Sequence, residues 1–264
     1  MWSFEMVAAM LAVGAAAGII AGVFGVGGGT ILVPLVLWIL QMQGAENFQY
    51  AQHIAIGTSF AVMVFTSFAS ARAQYKRQAV DMDVLRAMVP GVLCGVAAGA
   101  LVAQYLPNKG LQIFFTLFIA ILAVRALLGI KPTPERQLPG RRGLFGLLSS
   151  WIGIGGGSLT VPYLTFCNVP VHRAVGTSAA LGWPIAAAGT LGYAWAGWNQ
   201  GGLPEDSAGF VYLPAVGILA AATLLSAPLG VRLSHKLPAD KLKKGFGILL
   251  LLIALRMAWK IVQS

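Results

Sequence analysis

The chain has 264 residues, of which 58% are apolar and 10% charged, against about 25% charged in an ordinary soluble domain. Its 18 Lys and Arg exceed its 8 Asp and Glu to leave a formal charge of +10, yet a mean hydropathy of +0.79 leaves no polar shell to carry a nucleic-acid footprint. Composition thus excludes a soluble nucleic-acid binder and predicts an all-α integral membrane protein, since runs such as Ile113 to Val124 lack the period-two alternation of an outer-membrane barrel.

The first apolar run spans Phe4 to Phe24, and with Glu5 and no Lys or Arg ahead of it it reads as a retained membrane segment rather than a secretory leader. A glycine cluster follows, then runs at Ile31 to Met42, His53 to Ala71, Ala87 to Leu106 and Leu111 to Gly129. A basic linker over 131–142, with Pro132, Pro134 and Pro139, separates residues 1–130 from 143–264. Beyond it lie short runs at Gly143 to Ile154 and Leu159 to Cys167, and long ones at Ala174 to Trp198, Phe210 to Val231 and Gly245 to Val262. Cys94 and Cys167 fall in separate runs and read as small buried hydrophobes; neither a disulfide framework nor a metal centre is expected from two such residues.

Charge sorts the loops. Arg72, Lys76, Arg77 and Arg86 flank one connection, Lys131, Arg136, Arg141 and Arg142 another, and Arg232, Lys236, Lys241, Lys243 and Lys244 a third. The positive-inside rule makes all three cytoplasmic. The loops Gln43 to Gln52 and Asn199 to Ser207 hold Glu46, Glu205 and Asp206 but no Lys or Arg, so they face outward, and both termini fall outside.

The chain is also a tandem duplication. Gly25-Val-Gly27-Gly28-Gly29-Thr30-Ile-Leu-Val33-Pro34 returns as Gly153-Ile-Gly155-Gly156-Gly157-Ser158-Leu-Thr-Val161-Pro162. His53-Ile-Ala-Ile-Gly57-Thr58-Ser59 returns as His172-Arg-Ala-Val-Gly176-Thr177-Ser178, with Pro90, Pro107 and Arg125 answered by Pro214, Pro238 and Arg256. The first His-x-Ala-x-Gly-Thr-Ser follows an outward loop and the second an inward one, so the halves are expected to be inverted repeats. The 25 residues from Gly143 to Cys167 cannot make two crossings of about 17 or more each, which predicts a re-entrant pair of half-helices. The longer first pair, Phe4 to Met42, fits either a dip or a full hairpin. With roughly three full crossings added to each half, about eight to ten membrane segments result.

Each glycine cluster must break its helix, since a glycine in a helix interior costs about 1 kcal/mol relative to Ala. It lacks the Gly-Lys-Ser/Thr ending of a phosphate loop. A helix restarting at Thr30 or Ser158, with Pro34 or Pro162 in its first turn, offers free N–H groups, a hydroxyl and a partial positive charge. That combination suits an anion. Gly27, Gly28, Gly29, Thr30, Gly155, Gly156, Gly157 and Ser158 are therefore the candidate binding residues, joined by the hydroxyls of Thr58, Ser59, Thr177 and Ser178. His53 and His172 are candidate proton carriers, although a histidine at a segment start also reads as a cap. Gly14, Gly18, Gly22 and Gly91, Gly95, Gly99 keep the spacing of close helix contacts. No carboxylate falls mid-segment to bind a coupling cation.

The duplicated Gly-x-Gly-Gly-Gly-[Thr/Ser]-x-x-Val-Pro, followed in each half by Gly-Thr-Ser, resembles the sulfite exporter TauE/SafE family, also called the 4-toluene sulfonate uptake permease family. The resemblance covers essentially the whole chain and implies a carrier of sulfite, a sulfonate or another small sulfur-containing or organic anion in a bacterial inner membrane. Its partners would be that anion and the lipid bilayer, with a homodimer kept in view, no nucleic acid and no cofactor. Two other readings stand beside a non-enzymatic secondary exporter: an anion channel of the same fold, and a membrane-embedded sulfur-handling enzyme or assembly factor, for which no nucleophile constellation is visible.

Overall fold

A computed structural model describes residues 4–24, 28–42, 49–128, 160–161, 164, 169–234 and 239–263. Among them are eight helices: α1 (Phe4–Phe24), α2 (Gly29–Met42), α3 (Ala51–Tyr75), α4 (Met82–Ala103), α5 (Asn108–Leu128), α6 (Val171–Ala196), α7 (Leu213–Ser234) and α8 (Ala239–Gln263). A two-residue hairpin, β1 (Ser207–Ala208) and β2 (Val211–Tyr212), precedes α7. Gly27, the 131–142 linker, most of the second glycine-flanked pair, and with it Gly155, Gly156, Gly157 and Ser158, lie outside the described residues.

Five helices, α1, α3, α4, α5 and α7, are long and apolar enough to cross a membrane, and α6, with 26 residues, is longer than the span of about 20 that a bilayer needs. α2 has 14 residues, about 21 Å at 1.5 Å per residue, short of the roughly 30 Å hydrocarbon core. Large apolar side chains such as Leu117, Leu191, Leu225 and Leu252 point outward, with 60%, 73%, 77% and 60% of their surface exposed. Water would oppose that arrangement and lipid favours it. The chain is an all-α membrane protein.

α3 is the centre of the bundle: 72% of its span is buried, against 28% for α5. It packs on α2, α6 and α7. Its neighbour α6 runs antiparallel to it, because Phe60 meets Tyr193 (ring centroids 5.9 Å apart) while Phe68 meets Trp183 (6.3 Å). α6 in turn packs on α4, and α5 packs on α8. If α3, α4 and α5 are exchanged for α6, α7 and α8, the α3–α7 contact maps onto α6–α4, and the α3–α6 and α5–α8 contacts map onto themselves.

α1 and α7 are held by close backbone approach. A Cβ on Gly14 would lie 3.0 Å from Ala222 Cβ, and one on Gly18 would lie 2.8 Å from Thr223 Cα. The first four-residue glycine ladder is thus the close helix contact its spacing predicts, and the order of its partners makes the two helices parallel.

Several expectations are corrected. Cys94 is exposed, not buried; it lies on the apolar outer surface of α4. α2 begins at Gly29, which puts Pro34 in the second turn rather than the first. α4 starts at Met82, because Asp81 caps it by accepting from Val84 N (3.2 Å). Phe210 to Tyr212 form a turn and strand rather than the start of α7.

Candidate functional site

At the first glycine break the described residues begin at Gly28. Gly28 has φ +86°, a left-handed conformation that side chains rarely adopt, and a Cβ there would lie 3.3 Å from Ala21 Cβ. Its carbonyl accepts from Ile31 N (3.0 Å) and Leu32 N (2.9 Å), so Gly28, not Thr30, occupies the cap position. The N–H groups of Gly29 and Thr30, ahead of these, have no acceptor within the helix. Thr30 sits beside them, 1% exposed, and its hydroxyl finds no hydrogen-bond partner. Pro34 adds to this opening, since it has no N–H to return to the Thr30 carbonyl.

The two Gly-Thr-Ser motifs do something different. Thr58 Oγ1 accepts from Tyr212 N at 2.9 Å, and Thr177 Oγ1 accepts from Asp81 N at 2.8 Å. Gly57 lies against the Phe210 carbonyl and Gly176 against the Ala79 carbonyl, so closely that any Cβ would overlap the oxygen. Each motif therefore grips the segment entering a long helix of the opposite half: Tyr212 precedes α7, and Asp81 precedes α4. Arg173 reinforces the second grip, 3.9 Å from Asp81 Oδ2. Ser59 bonds back to its own helix at Ile56 O (2.8 Å), and Ser178 is buried.

The two histidines have diverged. His53 is fully buried and its Nε2–H donates to Ala103 O (2.9 Å) at the end of α4. A carbonyl can only accept, so Nε2 carries the hydrogen, while Nδ1 has no partner. Its ring packs in a triangle with those of Tyr50 (5.7 Å) and Phe210 (5.2 Å), which also touch each other. His172 is exposed at the start of α6. The repeat in sequence is not a repeat in environment.

Reading by motif missed a polar face on α3. Ser67, Ser70 and Gln74 are buried, at 1%, 3% and 1% exposure, and Ser67 Oγ, Ser70 Oγ and Gln74 Oε1 find no partner. Both side-chain amide atoms of Gln52, next to His53, are in the same state. A buried polar group left unpaired costs about 1–3 kcal/mol, which water or a polar ligand would relieve. The signal was present in the sequence: hydroxyl and amide residues at i, i+3 and i+7 inside an apolar run. It lacked only a counterpart in the second half.

Comparison with known families matches sulfite exporter TauE/SafE over residues 10–257. A protein from Haemophilus influenzae named "Probable membrane transporter protein" is 33% identical over 97% of this chain and 100% of its own length. The chain belongs to the TauE/SafE family. Similar proteins carry the same description in Methanocaldococcus jannaschii, at 25% identity over 89% of this chain and 88% of the relative, and in Xylella fastidiosa, at 27% over 94% and 93%. No solved structure matches. Family and relatives indicate a multi-pass membrane transporter of the TauE/SafE type, and the match spans α1 through most of α8.

Proposed function

We propose that this TauE/SafE protein is a secondary exporter of a small anion, sulfite, a sulfonate or a related sulfur-containing or organic anion, across a bacterial inner membrane. The observation that carries the reading is the buried, unpartnered Thr30 hydroxyl at the amide end of α2, a helix too short to span. Free N–H groups and the positive end of the helix dipole receive an anion there, replacing hydration whose loss would otherwise cost tens of kcal/mol. By the internal repeat, Gly155, Gly156, Gly157 and Ser158 supply the matching terminus from the other leaflet, and Gly27, Gly28 and Gly29 complete the first. The antiparallel α3 and α6, with the reciprocal grips of Thr58 and Thr177, support two inverted halves that rock about their shared seam. On this reading Ser59 and Ser178 belong to that seam. Among the described residues every carboxylate lies in a loop, a cap or the first turn of a helix. Without a mid-membrane acid, the negative-inside potential itself drives an anion outward, by about 2.3 kcal/mol per charge per 100 mV.

Purified protein in liposomes is expected to move sulfite or a sulfonate saturably, and external substrate is expected to accelerate efflux of labelled substrate. That counterflow separates a carrier from a channel. Thr30→Val should lower flux by about tenfold, the size of one lost charge-assisted hydrogen bond, and Gly156→Leu, which adds a bulky side chain at the proposed site, by at least as much. Unchanged flux in both would remove the site assignment.

A further inference from the structure

A groove of about 430 Å³ lies between the last turns of α3 and α7. Four cations line it: Arg72, Lys76 and Arg77 from the end of α3 and Arg232 from the end of α7. No carboxylate lines it, and among the described residues the ion pair nearest to hand, Arg173 with Asp81, uses none of the four. All four side chains are exposed, so the groove holds a concentrated, uncompensated positive charge where two membrane helices end.

Its other wall is apolar. Phe68, Ala69, Leu224 and Pro228 form a floor that runs from the cations toward the middle of the membrane. Phe68 and Leu224 are 50% and 38% exposed, and Leu225 and Leu229 beside them are 77% and 53% exposed. A small hydrated anion would satisfy the cations and leave this floor in contact with water. An amphiphile with an anionic head and an acyl tail matches both walls, at the depth where headgroups lie.

We propose that this groove binds an anionic phospholipid, with its phosphate among Arg72, Lys76, Arg77 and Arg232 and an acyl chain along Phe68, Ala69 and Leu224. The lipid bridges α3 of the first half to α7 of the second, so it fastens the seam between the halves from outside. The proposal is independent of which anion the protein carries.

The test uses the full-length protein, delipidated in mild detergent, with dioleoyl phosphatidylglycerol, dioleoyl phosphatidylcholine and inorganic phosphate as probes. Native mass spectrometry should show the phosphatidylglycerol retained at about tenfold lower concentration than the phosphatidylcholine, and thermal unfolding should rise with phosphatidylglycerol alone. The double variant Lys76→Gln/Arg232→Gln should erase the preference. Ala69→Trp keeps every charge but fills the floor, and should weaken phosphatidylglycerol retention about fivefold or more. Equal retention of the two lipids by the unaltered protein would overturn the proposal. So would inorganic phosphate reproducing the phosphatidylglycerol shift, which would make the groove a vestibule for small anions. Retained preference in both variants would also overturn it.

Discussion

Thr58 and Thr177 each spend a hydroxyl on a backbone N–H that enters from the other half. Valine at either place keeps the shape of threonine and removes the acceptor. Thr58→Val takes that acceptor away from the buried Tyr212 N–H, a loss of about 1–3 kcal/mol. Thr177→Val should lose less, about 1 kcal/mol, because Asp81 is part-exposed and already supported by Arg173. Thermal unfolding in detergent should fall by a few degrees for each, nearly additively in the double variant, and Thr58→Ser should recover most of the loss. A stabilities series that leaves Thr58→Val at the level of the parent would contradict the role given to that bond. The Gly-Thr-Ser motif was visible in the sequence, but its partners were not: Tyr212 and Asp81 lie 154 and 96 residues away, and no local spacing encodes a bond of that length. The same limit hid the difference between His53 and His172, whose surroundings come from Ala103, Tyr50 and Phe210 in one case and from exposure in the other.

At the scale of the elements, hydropathy located α1 at Phe4 to Phe24 without error because nothing charged interrupts it after Glu5. It misplaced helix ends wherever an interfacial turn carries charge, as at Asp83 and Arg86 in the first turns of α4. It also read Phe210 to Tyr212 as helix, although Gly209 at φ +58° and Asp206 at φ +63° turn the chain there. The Phe210 ring and carbonyl are claimed by Tyr50, His53 and Gly57, and tertiary contact overrides an apolar run. The α1–α7 pair was better encoded, since a glycine ladder states its own purpose. In Gly18→Leu the added side chain meets Thr223 Cα, 2.8 Å from where its Cβ would stand, and helix separation should lower stability by about 1–3 kcal/mol or more. Leu11→Ala, on the exposed side of α1, should change it by under about 0.5 kcal/mol. Comparable thermal midpoints for these two variants would show that the ladder does not hold the helices together.

For the whole molecule, the class and the family were legible, because they rest on composition and on the order of motifs along the chain. Sidedness was inferred from charge alone, and it can be read directly. With Cys94→Ser and Cys167→Ser as background, a cysteine at Asn199 should react with a membrane-impermeant maleimide in intact cells. One at Gln78, beside Arg72, Lys76 and Arg77, should react only after the cells are opened. The opposite pattern would turn the molecule over and overturn the assignment of the basic loops to the cytoplasm.

The exchange of grips between the halves also governs how the molecule is made. α3 is the most buried of the five candidate spans, yet its Thr58 waits for Tyr212, its Phe60 for Gly189 and Tyr193, and α1 waits for α7. During synthesis the first half enters the membrane before any of those partners has left the ribosome. It must dwell there with its central helix covered only in part, by α2, α1 and α5, and the protein closes only when nearly all of the chain has been translated.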